Sequence, residues 1–183
     1  MYKTQIRVET LKISEWLERY CEPEKFLPLC KECPEYGRNW SCPPNAPKIQ
    51  ELVQDYRFVQ VIGLKVIYED WVRREAASSA QREEELRQQT YGIAKKQLLQ
   101  ALLALETAIP ESLTIMAGRC ELCEHCARID GQSCRHPKQL RYSYSGLGFD
   151  LGRAASEILE MPLLWQNGGL PEYNVAIAAF LHK

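Results

Sequence analysis

The sequence predicts a mixed α/β fold of the α+β type, with one sheet of four to five strands covered by helices. Residues 58–68 form a run dense in β-branched side chains, which predicts a central strand. Residues 71–109 are expected to be helical, and their second half, from Tyr91 to Ile109, repeats apolar side chains at helical spacing. Two cysteine-rich segments, 21–47 and 118–137, interrupt these regular elements and predict metal-binding loops. The 183 residues suit a single domain over 1–183.

The first half of the chain predicts two strands and two short helices around the first cysteine loop. Residues 4–13 alternate apolar and polar side chains, as a strand does. Ser14 is a favourable N-cap for a short helix over 14–20. Residues 21–47 contain six prolines, and this density predicts a loop without a regular element. A second helix is expected over 48–56, before the strand over 58–68.

The second half predicts a long helical region and the remaining strands. Residues 71–109 are expected to form one long helix or two in series, ending before Pro110. Asp150 is placed to cap a helix that ends before Pro162. The remaining strands are expected over 112–117, 163–165 and 173–181.

Composition excludes several function classes. The net charge of −1 and the pI of about 6.3 give no overall positive field, so we expect no nucleic-acid partner. No stretch approaches the roughly 20 apolar residues of a membrane span, so we expect no membrane partner. The N-terminal residues lack the apolar run of a signal peptide, which indicates a cytoplasmic protein. Thiols stay reduced in the cytoplasm, where clustered cysteines more often bind metal than form disulfides.

The strongest motif is a quartet of cysteines with C-x2-C-x2-C-x7-C spacing. This compact pattern can bring several sulfurs around one centre, and it is typical of iron–sulfur clusters, in which each iron needs a ligand. The sequence therefore predicts one metal site at Cys120, Cys123, Cys126 and Cys134.

An upstream quartet has C-x8-C-x2-C-x8-C spacing and predicts a second site at Cys21, Cys30, Cys33 and Cys42. Cys21 is the weakest member, because it lies at the end of a predicted helix, where a lone cysteine also serves as a small buried hydrophobe. The assignment of ligands to sites stays open, since the fourth ligand of one site can come from the other loop, as in two-cluster ferredoxins.

Three interpretations of the eight cysteines remain open. The favoured one is two [4Fe–4S] clusters, whose negative charge would be offset by basic residues close to the ligands in sequence: Lys31, Arg38, Arg119, Arg128 and Arg135. The alternative is structural zinc, for which His125 or His136 could replace a thiolate. The third is redox-active or disulfide-bonded cysteines without metal.

The motifs resemble those of a bacterial and archaeal family described as predicted metal-binding proteins, a domain of unknown function. The resemblance rests on Cys30 to Pro44, on Gly118 to Ala127 and on Cys134 to Pro137. It implies a cytoplasmic metal protein that carries iron–sulfur clusters, and it implies no particular reaction. The chain departs from the family pattern over residues 141–146.

Ligand sets without a recognisable substrate-handling motif favour electron transfer or a redox-accessory role with a redox partner protein. One alternative is a zinc-stabilised interaction module. The other is an enzyme: if Cys21 is not a ligand, the first site has three cysteines, which leaves one iron of a cluster open to substrate.

Overall fold

A computed structural model describes all residues from Met1 to Lys183. Its sheet has four antiparallel strands in the order β1-β2-β4-β3, which confirms the predicted α+β class. The strands are β1 (Tyr2–Lys12), β2 (Phe58–Tyr68), β3 (Leu113–Met116) and β4 (Tyr173–His182). The run over 58–68 is central as predicted, since β2 pairs along its length with both β1 and β4.

Strands β2 and β4 are buried on both faces, so their sequences are nearly continuous apolar runs. Val59 and Val61 face one hydrophobic cluster, whereas Ile62 and Leu64 face another on the opposite side of the sheet. Edge strand β1 is more exposed, and Ile6 retains 62% of its accessible surface. The two clusters give the sheet a helical layer on each face.

Different helices cover the two faces. The first face is packed by α1 (Ile13–Tyr20), α3 (Ile49–Val53) and α7 (Leu151–Arg153), which continues as a π-helical turn over Ala154–Ile158. The second is packed by α4 (Asp70–Ala76), α5 (Ala80–Arg87) and α6 (Ile93–Ala108), with a π-helical turn over Gln88–Gly92 between the last two. No helix of the structure is both long and apolar enough to cross a membrane.

Four local predictions are corrected. The first cysteine segment does contain a regular element, helix α2 (Pro23–Glu32), despite its prolines. The cap of α1 is Lys12 rather than Ser14, which lies inside the helix. The region 71–109 forms three α-helices rather than one or two, and residues 163–165 form no strand.

The second cysteine loop leaves the sheet at the end of β3 and returns to the same place. The Met116 backbone N–H donates to the Tyr142 carbonyl at 3.2 Å, and the Tyr144 N–H donates to the Met116 carbonyl at 2.8 Å. The first loop joins them there, because the Ser143 N–H donates to the Ser41 carbonyl at 2.9 Å. Both cysteine segments therefore meet beside the end of β3.

Candidate metal centres

The second quartet surrounds one cavity. Its lining includes the side chains of Cys120, Cys123, Cys126 and Cys134. The cavity has a volume of about 20 Å³, which is space for roughly one water-sized species. Apolar side chains close it, namely Trp40, Leu122, Ala127 and Leu140. The structure thus brings all four predicted ligands of this set to one place.

Short turns hold the loop that carries these cysteines. Gly118 and Gly131 have φ values of +80° and +70°, a backbone conformation that glycine adopts without a Cβ clash. Cys126 precedes a 3-10 turn over Ala127–Asp130 and accepts a hydrogen bond from the Ile129 N–H at 3.0 Å. The loop is therefore shaped by turns rather than by a long helix or strand.

Asn39, from the first cysteine loop, also lines this cavity and is 1% exposed. Its Oδ1 accepts hydrogen bonds from the Ser41 N–H at 3.1 Å and from the Ser41 hydroxyl at 2.7 Å. Its Nδ2 is buried without a hydrogen-bond partner. A buried unpaired donor is unfavourable, so such an atom indicates an acceptor that completes the site.

Arg141 places a buried positive charge next to the same quartet. It is 4% exposed and lines a small adjoining cavity together with Cys120. Its guanidinium pairs with Glu106, and its Nε is a second buried donor without a partner. Burial lowers the pKa of Arg141, while the carboxylate of Glu106 counteracts this effect. The donor set and its surroundings therefore suit an anionic, thiolate-ligated centre.

The thiols line the cavity without forming a finished metal shell. No group of three or more Cys, His, Asp or Glu side chains converges closely enough to hold a metal ion. Binding would require the sulfurs to turn inward toward a common centre. Metal binding of this kind is coupled to ordering of the loop that supplies the ligands.

Three cysteines of the first quartet are grouped at the end of α2. Cys30 lies in its last turn, Cys33 is its C-cap, and Cys42 follows in the loop and is 8% exposed. Burial is the main reason that the pKa values of Cys30 and Cys42 are raised. The charge of Cys33 raises both pKa values further, whereas the polar side chain of Ser41 beside Cys42 lowers the pKa of Cys42.

Cys21 has a different environment from the other three. It lies just after α1, and its thiol donates to the Leu147 carbonyl with an Sγ–O distance of 3.7 Å. Burial, followed by the charge of Glu22, raises its pKa from 9.0 to about 11. No other thiol contributes to this shift, whereas Cys33 contributes to the raised pKa values of both Cys30 and Cys42.

Ser41 connects the two groups of cysteines. Its side chain is fully buried, and its Oγ accepts a hydrogen bond from the Cys120 N–H at 2.9 Å. The same Oγ lies 3.5 Å from the Sγ of Cys42. One hydroxyl group therefore touches a candidate ligand of the first centre and the backbone of a candidate ligand of the second.

The loops are joined by further contacts around this hydroxyl. Trp40 donates from Nε1 to the Gln132 carbonyl at 3.0 Å, and the Arg128 guanidinium lies over the Trp40 ring. Arg128 also donates to Asn45 Oδ1 at 3.0 Å. These contacts hold the first cysteine loop against the second.

The predicted histidines and basic residues lie at the rim. His136 lines the cavity of the second quartet, whereas the exposed His125 contacts Asp130 at 2.9 Å. Arg119 forms an ion pair with Glu35 at 3.5 Å, which again links the two loops. Sequence reasoning did not identify Asn39, Ser41 or Arg141, because no local pattern marks a polar residue that becomes buried by a distant loop.

Comparison with known families agrees with this arrangement. The profile of the family described as "Predicted metal-binding protein (DUF2284)" matches residues 4–176. The chain belongs to this family. The match spans both cysteine loops, strands β2 and β3, most of β1 and the beginning of β4, and it confirms the family suggested by the cysteine motifs. The chain has no significant match among curated proteins or solved structures.

Proposed function

We propose that the chain is a cytoplasmic iron–sulfur protein with two metal centres that acts in electron transfer or as a redox accessory. The observation that carries this proposal is that Cys120, Cys123, Cys126 and Cys134 line one cavity, which would have to widen as the thiols take up a cluster. A [4Fe–4S] cluster would supply one-electron redox chemistry there. The free amide of Asn39 would favour the more negative, reduced state, whereas the charge of Arg141 is offset by its ion pair with Glu106.

The proximity of the two cysteine groups supports a relay to a redox partner protein. Ser41 contacts the Sγ of Cys42 and the backbone N–H of Cys120. One serine residue would therefore lie between a ligand of the first centre and a ligand of the second. The exposed Cys33 places the first group near the surface, which suits exchange of electrons with a partner.

The position of Cys21 favours a second candidate function, an enzyme. If Cys30, Cys33 and Cys42 alone hold the first centre, one iron has no protein thiolate and is open to a substrate as a Lewis acid. A groove of about 890 Å³ lies beside this loop, with Tyr36, Pro43 and Pro44 in its wall. It offers space for a small molecule beside Pro43, the residue that follows Cys42.

Anaerobic purification followed by measurement of iron, sulfide and zinc tests the proposed function. We expect a brown protein with roughly eight iron and eight sulfide per chain if both sites hold [4Fe–4S] clusters, and a visible spectrum that bleaches with dithionite. A colourless protein that contains zinc would contradict the proposal. That result would support a zinc-stabilised interaction module, since the small cavity of the second quartet has room for a single metal ion.

A further inference from the structure

We propose that Asn39 of the first cysteine loop donates a hydrogen bond from Nδ2 to a sulfur of the centre held by the second quartet. Asn39 would thereby act as a positioning residue that raises the reduction potential of this centre and slows loss of its metal. The inference rests on the proposed metal centre and assigns to it a residue from the other loop.

The hydrogen bonds of Ser41 fix the orientation of the Asn39 side chain. A backbone N–H can only donate, so the amide atom facing the Ser41 N–H must be the oxygen. The Ser41 hydroxyl donates to the same oxygen. The NH₂ group is consequently directed away from Ser41, and exchange of the two amide atoms would lose the hydrogen bond from the Ser41 N–H.

The surroundings of the NH₂ group indicate which hydrogen-bond acceptor it would pair with. Asn39 is almost completely buried, so bulk solvent does not reach Nδ2, and the protein supplies no acceptor. The cavity that Asn39 lines contains four thiols among mostly apolar side chains. Metal ligation converts thiols to thiolates, which are much better hydrogen-bond acceptors and would pair the free donor.

A donor in this position changes the chemistry of the centre in a defined direction. A hydrogen bond withdraws electron density from sulfur and favours the more negative of two redox states, so the reduction potential rises. The same bond disfavours protonation of the thiolate, which is a step in metal loss. Both effects should disappear when Nδ2 is removed and the rest of the turn is preserved.

Two substitutions remove Nδ2 while keeping an acceptor for Ser41. Asn39→Asp retains both heavy-atom positions of the side-chain head. Asn39→Ser is uncharged, and its hydroxyl can accept from the N–H two residues ahead, as serine does in turns. Asn167→Asp is the matched control, because Asn167 is exposed and lies in a turn whose Gly169 contacts Glu83 and Ala77.

The holoprotein and its variants are compared by redox titration and by the rate of metal release to excess EDTA. For Asn39→Ser we expect the equilibrium to shift about tenfold toward the oxidised state, which is 59 mV for one electron. Asn39→Asp should shift it further in the same direction, because an ionised carboxylate repels an added electron. Both variants should release metal several-fold faster than the wild type and the Asn167 variant.

Far-UV circular dichroism establishes that each variant is folded before it is compared. Folded, metal-loaded Asn39 variants with the midpoint and release rate of the wild type would overturn the inference. A colourless, zinc-containing wild type would instead refute the proposed redox function. The rates of zinc release to EDTA would then decide whether Asn39 supports the site, so failure of one proposal is distinguishable from failure of the other.

Discussion

Cys21 differs from the other seven cysteines in what surrounds its sulfur. Its thiol donates to the Leu147 carbonyl, and its partner across an isolated β-bridge is Phe149. Phe149 is stacked on the buried Trp16, so Cys21 borders the hydrophobic core rather than the other thiols. This environment is that of a small buried side chain with a local hydrogen bond.

We therefore predict that Cys21→Ser leaves the metal content of the purified protein unchanged, because its hydroxyl can keep the bond to the Leu147 carbonyl. Cys42→Ser serves as the matched comparison and should reduce the iron content by the share of one centre. The measurement is iron and sulfide per chain after anaerobic purification. Equal losses in both variants would show that Cys21 is a ligand.

The raised pKa of Cys21 also predicts how the stability of the metal-free protein depends on pH. The thiol has a pKa of about 11 in the folded chain and near 8.5–9 when unfolded. The Cys21 thiol therefore loses its proton at a lower pH in the unfolded chain than in the folded chain. Its contribution to the free energy of unfolding is fully present below pH 9 and is lost as the pH rises toward 11.

The Cys21 thiol keeps some contact with solvent. We therefore expect its contribution to the free energy of unfolding to be about 1 kcal/mol, which is less than its full pKa shift implies. Urea unfolding between pH 8 and 11, with reductant and chelator present, measures it as the difference between the wild type and Cys21→Ser. A difference that is independent of pH over this range would contradict the assigned environment.

At the scale of elements, helix α2 shows where the sequence was misleading. Six prolines in residues 21–47 predicted a loop, but Pro23 occupies the first turn of α2, where its missing N–H has no partner to lose. Pro28 deprives the Glu24 carbonyl of an intrahelical partner, and because Glu24 is exposed, water can replace it. Proline count alone could not reveal these positions.

The start of α2 is packed tightly against Gly148. The φ of Gly148 is +98°, and a Cβ at this position would lie 2.6 Å from the Cα of Pro23. The Glu22 N–H also donates to the Gly148 carbonyl at 2.7 Å. The close approach fixes the beginning of the helix whose last turn carries Cys30.

We predict that Gly148→Ala lowers the free energy of unfolding by about 3 kcal/mol, since backbone strain and steric overlap add. Gly131→Ala is the control, because Gly131 has a φ of +70° but nothing within 4 Å of a new Cβ. That variant should lose only about 1 kcal/mol from backbone strain. Urea denaturation compares the two, and equal losses would mean that the contact with Pro23 is not tight.

At the scale of the whole molecule, the two cysteine loops form one cross-linked region at the end of β3. The contacts of Ser41 with Cys120 and of Trp40 with Gln132 join segments about 80 to 90 residues apart in sequence. A substitution that loosens one loop should therefore loosen the other as well, even where it alters no candidate metal ligand.

Ser41→Ala tests this coupling, because it removes the acceptor of the Cys120 N–H without changing a cysteine. We predict faster hydrogen exchange in both segments, 33–48 and 117–140, and a lower metal content at both centres. Ser133→Ala is the control, since Ser133 is exposed and lies in the second loop beside a candidate ligand. Faster exchange confined to residues near 41 would argue against a shared region.

The sequence was sufficient for the sheet and for the second quartet, because both depend on local patterns. The β-branched run of β2 and the spacing of Cys120, Cys123 and Cys126 carry their information within a few residues. The roles of Asn39 and Arg141 could not be predicted in this way. Each is an ordinary polar residue until chain segments distant in sequence enclose it, and its unpaired nitrogen is visible only in three dimensions.

The position of β4 has a consequence for the order of events during synthesis. Residues 173–182 lie between β2 and β3, and β3 has no other strand as a neighbour. Cys134 is made 39 residues before Tyr173, which is about 2–8 s at roughly 5–20 residues per second. All eight cysteines therefore emerge from the ribosome before the sheet that positions them is complete. Consequently, the two cysteine loops can reach their final arrangement beside β3 only after β4 has emerged.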